Sequence, residues 1–539
     1  MHRFVVLIWF LGGLARIVQQ TRFFQIEEYQ GGRYLGWLAA HPERWGWRRP
    51  LIAWSVMLLA AFFLPDSLPA WALAVGHGAA ALVAVWPSRE KEVKKRFVPT
   101  QRALRLLIAS FALFGLATVW VVGRAEALAF PGNLVSYHLF TAGVGLVLLL
   151  VSPLFLVAGN VLAYPVEAAL RRLFLARARR VLARLQPTVI GITGSYGKTS
   201  TKHYLAHILG GRYRVVATPK SYNTLMGVTL AVNTLLKDES VVDYFIVEMG
   251  AYRTGEIAEI CALTQPQISI VTAVGPQHLE RFGSLEAVAN AKYEIVAALP
   301  PDGTAVLNAD DPRVRAMADR AAAGTRILVS REGAEGARLA ASNVAESLDG
   351  LDFDVLDTAS GEKRRFHAPL YGLHNVTNIL LAAAAARHLG LSLGEVAMRV
   401  AALEPFEHRL QRTTWPGGIT VLDDAYSCNP VGAANALRVL GLHDQGRRIL
   451  ITPGMVELGP LQDEENRRLG ANAAEVATDI ILVGVEQARP IYEGVLAAGF
   501  DQERLHVFDT RAEAIAWLRE NARAGDAVLF LNDLPDTYL

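Results

Sequence analysis

Apolar positions change character at about Pro187. Before it they form long runs, at Phe4 to Ala15, Leu51 to Leu64, Pro69 to Trp86, Ala103 to Gly123 and Leu134 to Ala163. A bilayer-crossing helix needs about 20 mostly apolar residues, with ~17 as the lower limit. The last three runs therefore predict spans, and the first two are borderline. Phe4 to Ala15 lies where a secretory signal would. No small-residue cleavage site follows it, whereas Arg16, Arg22 and Arg33 do, so it predicts a short span or an interfacial helix. Beyond Pro187, short apolar strands alternate with amphipathic helices, the pattern of an α/β fold with a parallel sheet.

Charge between the runs sets an orientation. The segments Arg16 to Arg49 and Arg89 to Arg102 are rich in arginine and lysine, whereas the turn at Pro65 to Leu68 carries no cation. Cations favour the cytoplasmic side, so the chain is expected in the cell membrane as a multi-pass protein with everything after the last span in the cytoplasm. Arg171, Arg172, Arg177, Arg179, Arg180 and Arg184 then form a basic helix, either a solvated connector or a binder of anionic membrane lipid. The 539 residues predict three or four domains at ~150 residues each. The expected divisions are a transmembrane region at 1–163 of about four or five helices, a linker helix at 164–186, a central α/β domain at 187–407 and a C-terminal domain at 408–539.

Hydrophobic residues make up 52% of the chain, high for a soluble enzyme, and the excess lies before Pro165. A net charge of +2 implies no general attraction to nucleic acid. With only Cys261 and Cys428, far apart, neither a disulfide framework nor a cysteine metal site is expected.

The strand at Thr188 to Thr193 runs into Gly194-Ser195-Tyr196-Gly197-Lys198-Thr199-Ser200. A glycine-rich turn between strand and helix aims backbone N–H groups at one spot, which suits a phosphate. Lys198 would neutralise outer phosphates and Thr199 would sit on magnesium. The longer phosphate-loop pattern places a glycine where this chain has Ile192, so the match is to the shorter Thr-Gly-x-x-Gly-Lys-Thr form. Ligands on such sheets gather at the carboxyl ends of strands. Glu248 follows one predicted strand and His278 the segment after another, converging on the Lys198 edge as partners for a hard divalent cation. Taken singly, Glu248 also reads as a helix cap and His278 as a packed imidazole.

The runs Gly275 to Ser284, Ala291-Lys292-Tyr293-Glu294-Ile295 and Asn308-Ala309-Asp310-Asp311 closely resemble the Mur ligases, their MurF branch in particular. Those are ATP-dependent amide-bond ligases of peptidoglycan precursor synthesis, and the likeness runs from Pro187 to the C-terminus. The resemblance implies a central P-loop ATPase domain and a C-terminal Rossmann-like domain, with ATP and magnesium as cofactors. Glu248 and His278 would hold the metal. Lys292, otherwise readable as a solvated lysine, would be carbamylated and bind a second magnesium. Asn223 and Thr224 would face the substrate, and His374, Asn375 and Asn378 the adenine, although Asn375 alone also reads as a helix cap. Arg409 would reach the ATP phosphates and Asp424 the ribose, while Tyr426 and Asn429 would border the incoming amine.

The implied reaction activates a precursor carboxylate as an acyl phosphate and joins it to an amino acid or dipeptide. Catalysis would fall to Lys198, Lys292, His278 and Arg409. Membrane runs occupy the place of the soluble domain that usually grips the nucleotide end of the substrate. A ligase extending a lipid-linked or polymeric acceptor, as poly-γ-glutamate synthases do, is therefore a second reading. A membrane ATP-binding scaffold that ligates nothing is a third.

Overall fold

The computed structural model describes residues 2–41, 45, 48–63, 70–86, 97–128, 134–219, 222–277, 279–405, 410–425, 429–456 and 458–531. It separates into two compact units that divide between Arg172 and Leu173.

The first unit is helical: α1 (His2–Ile26), α2 (Gly31–Ala40), α3 (Arg48–Phe63), α4 (Ala70–Val85), α5 (Gln101–Leu128), α6 (Leu134–Val151) and the start of α7 (Leu154–Leu185). Trp9, Phe24, Tyr34 and Phe114 are fully buried within it. Gly145 lets a helix approach the Trp9 ring, since a Cβ there would lie 2.3 Å from it. Among the described residues two helices are long and apolar enough to cross a membrane, Gln101–Arg124 within α5 and α7 itself.

Three expectations change here. The run from Leu134 to Ala163 is two helices, broken at Ser152 and Pro153, where the Ser152 hydroxyl turns back onto the Leu149 carbonyl at 2.9 Å. Proline lacks the N–H needed to continue a helix and tolerates the first turn of the next. The linker helix expected at 164–186 is not a separate element, because α7 continues for 32 residues through Pro165. Predicted as a short run from Phe4 to Ala15, α1 extends to 25 residues.

The second unit carries two sheets. Its central part runs β1 (Thr188–Thr193), α8 (Lys198–Gly210), β2 (Val215–Ala217), α9 (Leu225–Ala231), β3 (Tyr244–Glu248), α10 (Glu256–Thr264), β4 (Ile268–Val271), α11 (Leu279–Phe282) and α12 (Leu285–Ala297). It continues through β5 (Thr304–Asn308), α13 (Pro312–Arg320), β6 (Thr325–Ser330), β7 (Leu339–Ser347), β8 (Gly350–Asp357), β9 (Glu362–Ala368), α14 (His374–His388) and α15 (Leu393–Val400). The sheet order is β2-β3-β1-β4-β5-β6-β7-β8-β9, parallel as far as β7 and antiparallel from β7 to β9. Between β3 and β4, β1 sits where chain order reverses, the position at which such sheets open a ligand crevice.

The core strands read as continuous apolar runs because helices cover both faces. In β8, by contrast, buried Leu351, Phe353 and Val355 alternate with more exposed Asp352 and Asp354, as expected of a sheet with one wet face. The C-terminal part holds β10 (Gln411–Trp415), β11 (Ile419–Asp424), α16 (Pro430–Gly441), β12 (Arg448–Thr452), α17 (Gln462–Val476), β13 (Asp479–Val483), α18 (Val485–Ala497), β14 (Leu505–Phe508), α19 (Arg511–Asn521) and β15 (Ala527–Leu531). Its sheet order is β10-β11-β15-β12-β13-β14, with only β10 antiparallel.

Candidate active site

The glycine turn after β1 is held by its neighbours. The Thr193 hydroxyl donates to the Met249 carbonyl at 2.8 Å. Ser195 Oγ donates to the Gly275 carbonyl at 3.1 Å and accepts the Gly275 N–H at 3.0 Å, while the Thr272 hydroxyl donates to the Tyr196 carbonyl. Gly194 (φ +147°) and Gly197 (φ +79°) have no room for side chains. A Cβ would lie 1.9 Å from Thr272 Oγ1 at the first and 2.3 Å from Asn378 Oδ1 at the second. At Lys198 α8 begins, with no side chain capping its N-terminus, which leaves backbone donors for an anion. Lys198 Nζ lies over the turn, donating to the Gly194 and Ser195 carbonyls at 2.7 and 3.1 Å. Ser200 is buried just behind it.

Register places Glu248 opposite Ile192, at the same edge. Its Oε2 accepts from the Thr199 hydroxyl at 3.1 Å and from Lys202 Nζ at 2.9 Å, and its Oε1 accepts from Asn223 Nδ2 at 3.2 Å. Burial pushes this carboxyl up, but the Lys202 and Lys198 charges and the hydrogen bonds from Lys202 and Asn223 outweigh it and hold it below the usual carboxylate range. Lys292, on α12, is 3% exposed and its ammonium lies 5.9 Å from the centre of the Phe282 ring. Burial and the Lys198 charge push it down to about 7 against the opposing pull of Glu294 and Glu256. Lys198 thus acts electrostatically on both Glu248 and Lys292.

Lys202 escaped the sequence reading. Its signal was helical spacing, since a residue four beyond Lys198 lies on the same face of α8. Lys202→Met strands a buried carboxylate and is expected to cost about 3 kcal/mol in denaturant unfolding, with the Lys202→Met, Glu248→Gln pair recovering part of it. Because the folded Glu248 pKa is depressed, the stability this site contributes is complete above pH 4.5 and is lost as pH falls through the folded value.

Other expected residues lie in more structural settings. Asn375 and Asn378 are each 5% exposed. The Asn375 amide accepts from the Tyr204 hydroxyl at 2.9 Å and donates to the Tyr371 carbonyl at 2.8 Å, and Asn378 Nδ2 donates to Asn375 Oδ1 at 3.1 Å. These amides fix the start of α14, where His374 also lies, against α8. Thr224 and Asn429 cap α9 and α16, accepting from the Gly227 and Gly432 N–H groups. Asp424 Oδ1 accepts the Leu410 N–H at 3.1 Å, at the entry to β10. His278, Arg409 and Tyr426 lie outside the described residues.

The profile described as "Mur ligase middle domain" matches residues 192–386, from inside β1 to the last turn of α14. That described as "Mur ligase, glutamate ligase domain" matches residues 408–532. The UDP-N-acetylmuramoyl-tripeptide--D-alanyl-D-alanine ligase of Mycobacterium leprae is 36% identical over 392 residues, covering 68% of this chain and 74% of its own. The chain belongs to the Mur ligase family. The ligase of the same description from Bacillus subtilis is 28% identical over 358 residues, covering 66% of this chain and 74% of its own. Crystallised MurF from Acinetobacter baumannii superposes with a TM-score of 0.59 at 26% identity, over 67% of this Mur ligase and 77% of that chain. Both matched domains lie after residue 191, so the helical N-terminal region is additional to them.

Proposed function

We propose that this Mur ligase is an ATP-dependent, ADP-forming amide ligase of peptidoglycan precursor synthesis, of the MurF kind. A substrate carboxylate oxygen bonds to the γ-phosphorus of ATP as the bridge to ADP breaks. An amine nitrogen then bonds to the acyl carbon, phosphate leaves, and the amine gives up its proton. The observation that carries this is the edge on which Lys198, Thr199 and Glu248 meet beside an uncapped helix N-terminus, with the buried Lys292 close enough to feel the Lys198 charge. The named activity of relatives at 36% and 37% identity supports the pair UDP-MurNAc-tripeptide and D-Ala-D-Ala as substrates.

The residues present fit ATP and magnesium. Among the described residues no three carboxylate, imidazole or thiol groups converge, so a cation here would be held by the Glu248 carboxylate and the Thr199 hydroxyl together with phosphate oxygens. When bound, magnesium supplies charge neutralisation for the phosphates. The lowering of Lys292 to about 7 makes part of it available as the neutral amine that carbon dioxide can carbamylate, which would turn a repelling cation into an oxygen ligand. His278 and Arg409 complete the set that the family resemblance implies.

The N-terminal unit is proposed as a membrane anchor that leaves the catalytic domains in the cytoplasm. Ile52, Phe63, Trp71, Val75, Ile108 and Trp120 are all more than 60% exposed on its helices, an apolar surface that water does not favour. The same surface favours one second reading, a lipid-linked acceptor. Phosphate release by detergent-solubilised protein is expected to require both an acid and an amine. ATP turnover without either would reduce the protein to a non-ligating ATPase. Radiolabelled D-Ala-D-Ala is expected in the aqueous fraction of the product, and its appearance in the lipid fraction instead would select the lipid-linked acceptor.

A further inference from the structure

The tip of the β7–β8 hairpin gathers donors from both matched domains. The Glu346 side chain is 3% exposed, and its two oxygens serve different domains. Oε1 accepts the Gly372 N–H at 2.5 Å, in the turn that opens α14. Oε2 pairs with Arg438 of α16, whose guanidinium is also steadied by Asn435 Oδ1 at 3.1 Å. Two residues on, the Leu348 carbonyl accepts from the Tyr371 hydroxyl at 2.8 Å and from Arg412 of β10 at 3.0 Å.

From Glu346 the contacts continue to the phosphate turn. Gly372 (φ +91°) accepts the Asn375 N–H at 2.9 Å through its carbonyl. Asn375 holds Asn378, and the Asn378 amide packs over Gly197. We propose that Glu346 is a positioning residue that ties the seating of the C-terminal domain to the geometry of the nucleotide site. With Arg438 in place, the buried carboxylate is compensated and the Gly372 turn is fixed. When α16 moves away, that carboxylate loses its charged partner and keeps the Gly372 N–H, so the turn and the domain shift together. The ligase reading enters only through the nucleotide readout.

The test uses the full chain in detergent. Glu346→Gln keeps an acceptor for Gly372 but removes the charge facing Arg438, and Arg438→Met removes the same contact from the half-exposed side. Each is expected to broaden the inter-domain distance distribution, read by energy transfer between dyes at Glu332→Cys and Glu503→Cys, and to raise the dissociation constant for ATP about tenfold. The double variant should be no worse than either single one, and Arg438→Lys should restore part of the loss. Unchanged distances, or changed distances with unchanged ATP affinity, would overturn the coupling. Failure of the wild-type protein to bind ATP would count against the ligase reading, and the distance measurement would still judge the contact.

Discussion

Lys198→Ala is expected to lower amine-dependent phosphate release by about three orders of magnitude, about 4 kcal/mol in the barrier, in a protein that stays folded. The cost to the fold is small because Lys198 is only partly buried and bonds two carbonyls of its own turn, which water can reach once the ammonium is gone. The expected cost to catalysis is large because, in the proposed reaction, this cation would neutralise the charge that develops on a transferring phosphoryl group. A second effect has the same sign. Lys198 helps to hold Glu248 ionised and Lys292 neutral, so its removal raises both pKa values and weakens the groups that would hold the metal. Steady-state phosphate release, with a melting curve on the same sample, checks this. Near-normal turnover would remove the turn from the mechanism.

What the sequence revealed follows the strength of local signals. The turn at Gly194 to Lys198 was legible because its glycines take positive φ against neighbours that exclude a Cβ, and few sequences satisfy that between a buried strand and a helix. Glu248 was legible from its place at the end of a strand. Lys202 was not, because a lysine on a helix is usually solvated and only the fold puts this one beside a buried carboxylate. The alternation in β8 was present in the sequence but stood after a long parallel series, so the antiparallel extension through β9 was missed. That extension matters, since its hairpin carries Glu346. At Leu134 to Ala163 composition concealed geometry, because an apolar run continues through a proline while a helix restarts there. The caps at Thr224 and Asn429 show a different limit: the side-chain oxygen that suits a substrate contact also suits a helix N-terminus, and spacing alone does not separate them.

Lys292→Arg is expected to cost about three orders of magnitude in turnover and to abolish any dependence on carbon dioxide. Carbamylation forms a bond from a neutral amine nitrogen to the carbon of carbon dioxide and releases the amine proton. An ordinary lysine is almost wholly protonated at neutral pH, whereas one at about 7 is half available there and mostly available one unit higher. Turnover of the wild-type chain should therefore rise with added bicarbonate and fall as pH drops below about 7. Arginine stays charged throughout this range and cannot follow. Isotope-labelled bicarbonate should give a carbamate carbon resonance in the wild-type protein and none in the variant. Stability gives an independent check of the buried amine. Between about 7 and 10.5 the unfolded chain holds a proton at Lys292 that the folded chain does not, so this group makes stability rise with pH across that window. Below it both states are protonated and the fold bears the cost of an enclosed ammonium, so Lys292→Met should be more stable than wild type at pH 6 while remaining inactive. A variant that gains stability as it loses turnover is the signature of a lysine buried for chemistry, and Lys292→Arg turning over normally without carbon dioxide would return it to a packing role.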